Sequence, residues 1–129
     1  MKHSQTSIEF IILVGFVLFF LTLFLIAVQE NTSYKTHQRK NQQVKELILG
    51  IQDEINLASE ASEGYYREFN VPNQVAGMDY QVGIAEDFLY IKTTDGRFAI
   101  SLPVPSVVGD ILKGDNFIKK ENGAVYLNQ

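Results

Sequence analysis

An uncharged run from Phe10 to Gln29 limits what this chain can fold into more than any other feature of its sequence. The run reads FIILVGFVLFFLTLFLIAVQ, and most of its side chains are large and apolar. As a helix, a segment of this length crosses the apolar core of a bilayer, which is roughly 30 Å thick. The run is longer than the apolar core of a cleaved secretory signal, and IAVQENTS offers no A-x-A-like cleavage site. We therefore expect a membrane-spanning helix, for which a plain membrane anchor is the simplest interpretation.

Polar residues at fixed spacing immediately precede the apolar run and suggest a more specific interpretation. The pattern is Q-x-S-x-E-x-x-x-L, formed by Gln5, Ser7, Glu9 and Leu13. It resembles the class III signal peptide of archaeal type IV pilin-like proteins. The resemblance implies that a prepilin peptidase cuts between Ser4 and Gln5 on the cytoplasmic side, and that the apolar helix becomes the core of a filament. The leader departs from the family pattern, which usually has Gly or Ala where this chain has Ser4.

The carboxylate of Glu9 lies at the start of the apolar run, where a charge is costly and usually has a partner. The resemblance implies that this partner is the amine that cleavage frees on Gln5 of a neighbouring subunit. Glu9 would then dock one subunit onto the next, and the pairing would offset much of the desolvation of both charges. The alternative is that Glu9 lies at the level of the lipid head groups, where a carboxylate costs little.

Beyond the apolar run, the helix is expected to continue outward and to acquire one apolar face. The segment 29–43 is polar on almost every side and contains neither Pro nor Gly. Apolar residues then recur at helical spacing, and Gly64 is a predicted helix stop. We therefore expect a single helix from about Gln5 to about Glu63. The predicted apolar stripe consists of Val44, Leu47, Ile48, Ile51, Ile55, Ala58 and Ala61.

The remainder of the chain has the alternating pattern of β-strands. We expect five or six short antiparallel strands, and Asn122-Gly123 is a strong hairpin signal. The predicted fold class is α+β: a long N-terminal helix whose outer part packs on a small antiparallel β-sheet, as in type IV pilins. The predicted segments are a leader (1–4), a transmembrane or filament-core helix (5–29), the outer part of the helix (30–64) and the β-sheet domain (65–129).

Composition argues against several classes of function. The formal net charge is -4, so we expect no nucleic-acid partner, and the absence of Cys removes thiolate metal sites. The two histidines, His3 and His37, lie on opposite sides of the apolar run. No nucleophile–His–acid set or phosphate-binding loop is evident, and Asp95 and Asp115 are interpreted as turn residues. We expect neither an enzyme nor a cofactor or metal site.

Asn31-Thr32-Ser33 matches the acceptor pattern for N-glycosylation. Asn31 lies within a few residues of the apolar run, where a membrane glycosyltransferase would have poor access. We expect modification at this position to be weak.

The resemblance implies a pilin, major or minor, of an archaeal type IV pilus-like filament on the cell surface, a class of filament associated with adhesion. Its partners would be other pilin subunits, the prepilin peptidase and, before assembly, membrane lipid. The alternatives are a single-pass accessory or sensor protein that never polymerises, and a pseudopilin of a secretion system. Counting positive charges favours a cytoplasmic outer domain, because the basic residues follow the run, whereas the resemblance implies a cytoplasmic N-terminus and an extracellular domain. The cations beyond the run are Lys35, Arg39, Lys40 and Lys45.

Overall fold

The structure is a computed structural model that describes the backbone of residues 2–129 and the side chains of residues 5–129. The side chains of the predicted leader, residues 1–4, are outside the described part of the chain, and they include Ser4 at the predicted cleavage site. Cleavage, and the segment boundaries that follow from it, therefore remain predictions.

One helix, α1 (Lys2–Glu60), begins the chain, and the chain divides into two compact units between Gln38 and Arg39. In the first unit, every side chain from Gln5 onward is exposed. The apolar run is therefore helical and uncovered in the isolated chain, as expected for a segment that needs lipid or other helices around it.

The second unit contains the remainder of α1, eight β-strands and a continuous hydrophobic core. The predicted stripe on the outer part of α1 is confirmed over most of its length: Val44, Ile48 and Ile55 are fully buried, and Ile51 and Ala58 are buried with them. Leu47 is half-buried, and Ala61 lies beyond the end of the helix. Leu49 and Leu57, which break the helical spacing, are exposed. The stripe packs against apolar side chains from the strands, so this part of α1 completes the core of the unit.

The eight strands form two four-stranded sheets. The first sheet has the order β1-β7-β8-β6 and the second has the order β2-β3-β4-β5. The fold class is therefore confirmed as α+β, with the pilin-like arrangement of a long N-terminal helix packed on small β-sheets. The strands are β1 (Tyr66–Val71), β2 (Gln74–Val75), β3 (Met78–Ala85), β4 (Phe88–Thr93), β5 (Ala99–Pro103), β6 (Val107–Gly109), β7 (Gly114–Glu121) and β8 (Ala124–Leu127).

The β-structure differs from the expectation of one antiparallel sheet of five or six strands. Strands β2 and β6 were not predicted because they are too short for an alternating pattern to be visible. Strand β6 pairs with β8 in parallel, whereas the other pairs are antiparallel. The chain changes sheet twice: it leaves the first sheet after β1, forms the whole second sheet from β2 to β5, and returns to the first sheet through the segment that contains Pro105.

The helix ends at Glu60, a few residues before the predicted stop at Gly64. Gly64 has a positive φ of 86°, which glycine adopts without strain, and its N–H donates to the carbonyl of Lys120 at 3.0 Å. Gly64 therefore belongs to the turn that leads from α1 into β1.

Candidate functional site

The signal-motif residues lie on the first turns of α1, with their side chains directed into solvent. Gln5, Ser7 and Glu9 are exposed, and Leu13 is 62% exposed. Among residues 5–129, no side chain forms a hydrogen bond or ion pair with Glu9. Because Glu9 is not neutralised within the described part of its own chain, it is available to a group from outside it. The predicted roles of these residues in cleavage and docking remain predictions.

The helix that carries this motif is long and apolar enough to cross a membrane. Its most apolar 18-residue window has a mean hydropathy of 3.2, and none of that window is buried in the protein. The hydroxyl of Thr22, the main polar group inside the run, donates to the carbonyl of Leu18 at 2.8 Å, so its hydrogen-bonding capacity is used locally. The apolar surface is therefore uninterrupted by unsatisfied hydroxyl donors.

The glycosylation acceptor lies within the same helix. Asn31 is exposed, and the hydroxyl of Thr32 donates to the carbonyl of Val28 at 2.9 Å. An acceptor held in regular helix must lose that backbone conformation before an enzyme can bind it in an extended form. Modification at Asn31 remains a prediction.

The second unit (39–129), which we call the outer unit, has two surface depressions that no sequence pattern indicated. One depression lies beside α1 and the other over the opposite face of the sheet, and Phe69 and Asn70 of the edge strand β1 contribute to both. The smaller depression, of about 260 Å³, is lined by α1 residues including Glu46 and Gly50. The larger, of about 480 Å³, extends over Glu68 of β1 and over Asp115, Asn116 and Phe117 of β7. We call the larger depression the β1 groove.

Carboxylates surround the β1 groove, and strand pairing explains why the sequence alone did not bring them together. Asp115, predicted to be a turn residue, lies in β7 directly opposite Asn70 of β1. The Asn70 amide donates to the Asp115 carboxylate at 2.8 Å, across a long separation in sequence. The turn prediction for Asp115 was wrong because β7 begins at Gly114, one residue earlier. Only the register between β1 and β7 could have revealed this cluster.

Two other carboxylates of the outer unit have clear electrostatic environments. The Lys113 ammonium lies 2.5 Å from the Asp79 carboxylate, and this contact, with the backbone N–H of Tyr80, lowers the pKa of Asp79. The Thr93 hydroxyl and the backbone N–H of Arg97 donate to Asp95 and lower its pKa. Asp95 lies in the turn between β4 and β5, which confirms the prediction for it.

The Tyr66 hydroxyl donates to the Glu68 carboxylate at 2.8 Å, and this hydrogen bond raises the pKa of Tyr66. The donor is a neutral hydroxyl, so this hydrogen bond brings no counter-charge to Glu68 at the rim of the β1 groove.

Three acidic residues occur in and just after β3: Asp79 lies within the strand, and Glu86 and Asp87 follow its end. Within the residues that the structure describes, no group of three or more His, Asp or Glu side chains is placed to hold a metal ion. Asp79 is instead engaged by Lys113.

No protein-family model, curated protein or solved structure matches this chain.

Proposed function

We propose that this protein is a structural subunit, a major or minor pilin, of an archaeal type IV pilus-like filament on the cell surface. The observation that carries the proposal is the apolar helix itself. Its side chains are exposed from Ile8 to Val28, and the Q-x-S-x-E-x-x-x-L pattern lies where that surface begins. A surface of this kind is stable only in lipid or among other apolar helices, and the fixed polar pattern favours a segment that uses both environments in turn.

The proposed route begins with a precursor held in the membrane by this helix. A prepilin peptidase removes residues 1–4 on the cytoplasmic side, and the outer unit lies outside the cell. The helix then leaves lipid and packs with helices of other subunits, and Glu9 of one subunit docks onto the new amine of Gln5 in a neighbouring subunit. The role is structural rather than catalytic, and adhesion through the assembled filament is its proposed use.

The compact outer unit supports the proposal because it requires no second chain to bury its core. Sixteen apolar side chains form one buried cluster drawn from α1 and both sheets. Such a unit can fold on the outer face of the membrane while the apolar run remains in lipid. The chain can therefore exist as a stable precursor before it enters a filament.

The N-terminal residue of native protein tests the proposal. Peptide mass spectrometry of the protein from its own cells should find Gln5 as the first residue, in material that sediments with surface filaments. An intact Met1 on protein that remains in the membrane fraction would instead favour the non-polymerising accessory or sensor protein. Cleavage at Gln5 without any surface filament would favour the pseudopilin.

A further inference from the structure

The turn between β7 and β8 contains the one Asn-Gly pair of the chain, Asn122-Gly123. In such a pair the nitrogen of the glycine can attack the side-chain amide carbon of the asparagine, because the glycine has no Cβ to hinder the approach. Every other asparagine of this chain precedes a larger residue, which slows the reaction. Both residues of the pair are exposed, so water reaches them. Asn122 is therefore the most reactive side-chain amide that the sequence contains.

The folded turn holds the two reacting atoms apart. Asn122 has a φ of 52° and Gly123 a φ of 74°, as in a type I′ turn. In that turn the ψ of the first central residue is about 30°, which directs the Cβ of Asn122 away from the nitrogen of Gly123. Ring closure requires the opposite arrangement, with both atoms on the same side of the Cα–C bond. The nitrogen can therefore reach the amide carbon only after the turn has opened.

A carboxylate from outside the hairpin keeps this turn closed. The Gly123 N–H donates to Oε1 of Glu63 at 2.5 Å, and Glu63 lies in the turn that follows α1. The next residue, Gly64, donates to the Lys120 carbonyl at 3.0 Å, so this turn is tied to the hairpin at two successive residues. The attacking nitrogen must also lose its proton, and a negative charge beside it disfavours the anionic form. The contact with Glu63 therefore restrains the nitrogen and lowers its reactivity.

We propose that Asn122 is a site of spontaneous deamidation and that Glu63 sets the rate by protecting the folded turn. The Gly123 nitrogen forms a bond to Cγ of Asn122 and loses its proton, while the bond from Cγ to the side-chain nitrogen breaks and ammonia leaves. Water then opens the cyclic imide at either carbonyl, which gives aspartate or isoaspartate at position 122. The reaction consumes one water, releases one ammonia and needs no oxidant or reductant. It is a property of the chain itself and does not depend on the proposed filament function.

Either product should weaken the hairpin between β7 and β8. The new carboxylate lies next to Glu121 in sequence and close to Glu63, and repulsion between the charges opposes the contact of Glu63 with the turn. Isoaspartate also adds its Cβ to the main chain, and a two-residue loop cannot accept another atom without a change in the strand pairing that it sets. Strand β8 carries the buried side chains of Val125 and Leu127, so a change in its pairing disturbs the core.

The rate of deamidation in folded and unfolded protein tests the protection. Peptide mass spectrometry follows the conversion at Asn122 in the full-length protein, kept in a non-ionic detergent at mildly alkaline pH. The conversion should be at least about tenfold slower in the folded parent than in urea, because the turn must open first. Asn73, which is exposed and precedes Gln74, is the internal control and should react far more slowly than Asn122 in urea. Equal rates at Asn122 with and without urea would overturn the protection.

Variants at position 63 test the role of the carboxylate. Glu63→Ala removes the acceptor and its charge and should raise the rate in the folded protein by about threefold to tenfold. Glu63→Gln keeps an acceptor oxygen without the charge and should give an intermediate rate. Ser62→Ala, at the preceding exposed position, is the matched control and should react like the parent. In urea all four proteins should react at the same rate, and amide exchange in β7 of the folded variants should match the parent, which shows that the unit stays folded.

The opposite results have distinct meanings. A slower reaction in folded Glu63→Ala would overturn the protection and make Glu63 the base that removes the Gly123 proton, and an unchanged rate would exclude Glu63 from control of the reaction. Asn122→Asp reproduces one product and should lower the melting temperature, whereas Asn73→Asp should not. If Asn122→Asp melts like the parent, the expected effect on the hairpin is wrong.

Discussion

The Lys120 ammonium donates a hydrogen bond to the Ser59 carbonyl at 2.6 Å, and another to the Ala61 carbonyl at 2.8 Å. Helix α1 has no basic residue in its own last turn, so β7 supplies the charge that the carbonyl end of the helix favours. The Lys120 N–H also donates to the Tyr65 carbonyl, and the Lys120 carbonyl accepts from the Gly64 N–H. One residue of the sheet therefore fixes both the end of α1 and the turn that follows.

Replacing Lys120 by Met keeps the aliphatic chain and removes these charged hydrogen bonds. We expect Lys120→Met to lower the free energy of unfolding of the fragment 39–129 by about 2 kcal/mol. Lys119→Met is the matched control, because Lys119 forms a surface ion pair with Glu121 at 3.4 Å and lies 5.7 Å from the centre of the Tyr126 ring, and its loss should cost less than about 1 kcal/mol. Urea unfolding followed by circular dichroism measures both, and equal losses would contradict the capping role.

The fragment 39–129 should be soluble and folded, because the helical stripe and the sheets cover one another within it. Ile55→Asp buries a charge at a position that is 0% exposed and should cost several kcal/mol, enough to unfold the fragment. Leu57→Asp introduces the same carboxylate two residues away, where the side chain is 49% exposed, and should leave the melting temperature nearly unchanged. If both variants melt like the parent, the packing of α1 on the sheets is wrong.

Gly109 lies where the parallel pair of β6 and β8 brings two backbones close together. Its φ is 109°, and a Cβ there would lie 2.0 Å from the Leu127 carbonyl oxygen. Gly109→Ala should therefore destabilise the fragment by roughly 2–4 kcal/mol. At Gly96, φ is also positive at 72°, but a Cβ would meet nothing within 4 Å. Gly96→Ala should cost only about 1 kcal/mol for the backbone conformation, and thermal unfolding of both variants separates the clash from the φ effect.

The ion pair between Lys113 and Asp79 should make the free energy of unfolding depend on pH in the acidic range. The folded pKa of Asp79 is lowered, so its contribution is present above the unfolded value of about 4 and is lost as pH falls through the folded pKa. Asp79→Asn should therefore lower the melting temperature at pH 7, and this difference from the parent should shrink steadily below about pH 4. Asp53→Asn, at an exposed position of α1 without an ion-pair partner among the described residues, is the control. A difference that does not change with pH would exclude the charge as its cause.

Glu9 should be required for assembly but not for insertion or folding. Glu9→Ala makes the spanning segment more apolar, so insertion should be normal, and the core of the outer unit contains no part of Glu9. Leader removal should proceed, whereas the ratio of filament-associated to membrane-held protein should fall sharply. Glu9→Gln keeps the shape of the side chain, so a defect there would assign the effect to the charge. Normal incorporation of Glu9→Ala would remove the docking role.

Sequence patterns predicted those features that depend on neighbours along the chain. The stripe of α1 follows from helical spacing, and the hairpin between β7 and β8 follows from Asn122-Gly123, whose φ values of 52° and 74° suit a type I′ turn. The parallel pairing of β6 and β8 depends on a strand of three residues, Val107–Gly109, too short to have a period. The β1 groove depends on the register that places Asp115 beside Asn70, which no local pattern specifies.

The position of β8 has a consequence for the order in which the outer unit can form. Strand β8 lies between β7 and β6, and its side chains Val125 and Leu127 are buried in the core, although it is the last strand in sequence. The stripe on α1 is synthesised first, but the strands that pack on it are complete only once residue 127 has been added. The core therefore closes late, through contacts distant in sequence, and such contacts slow folding.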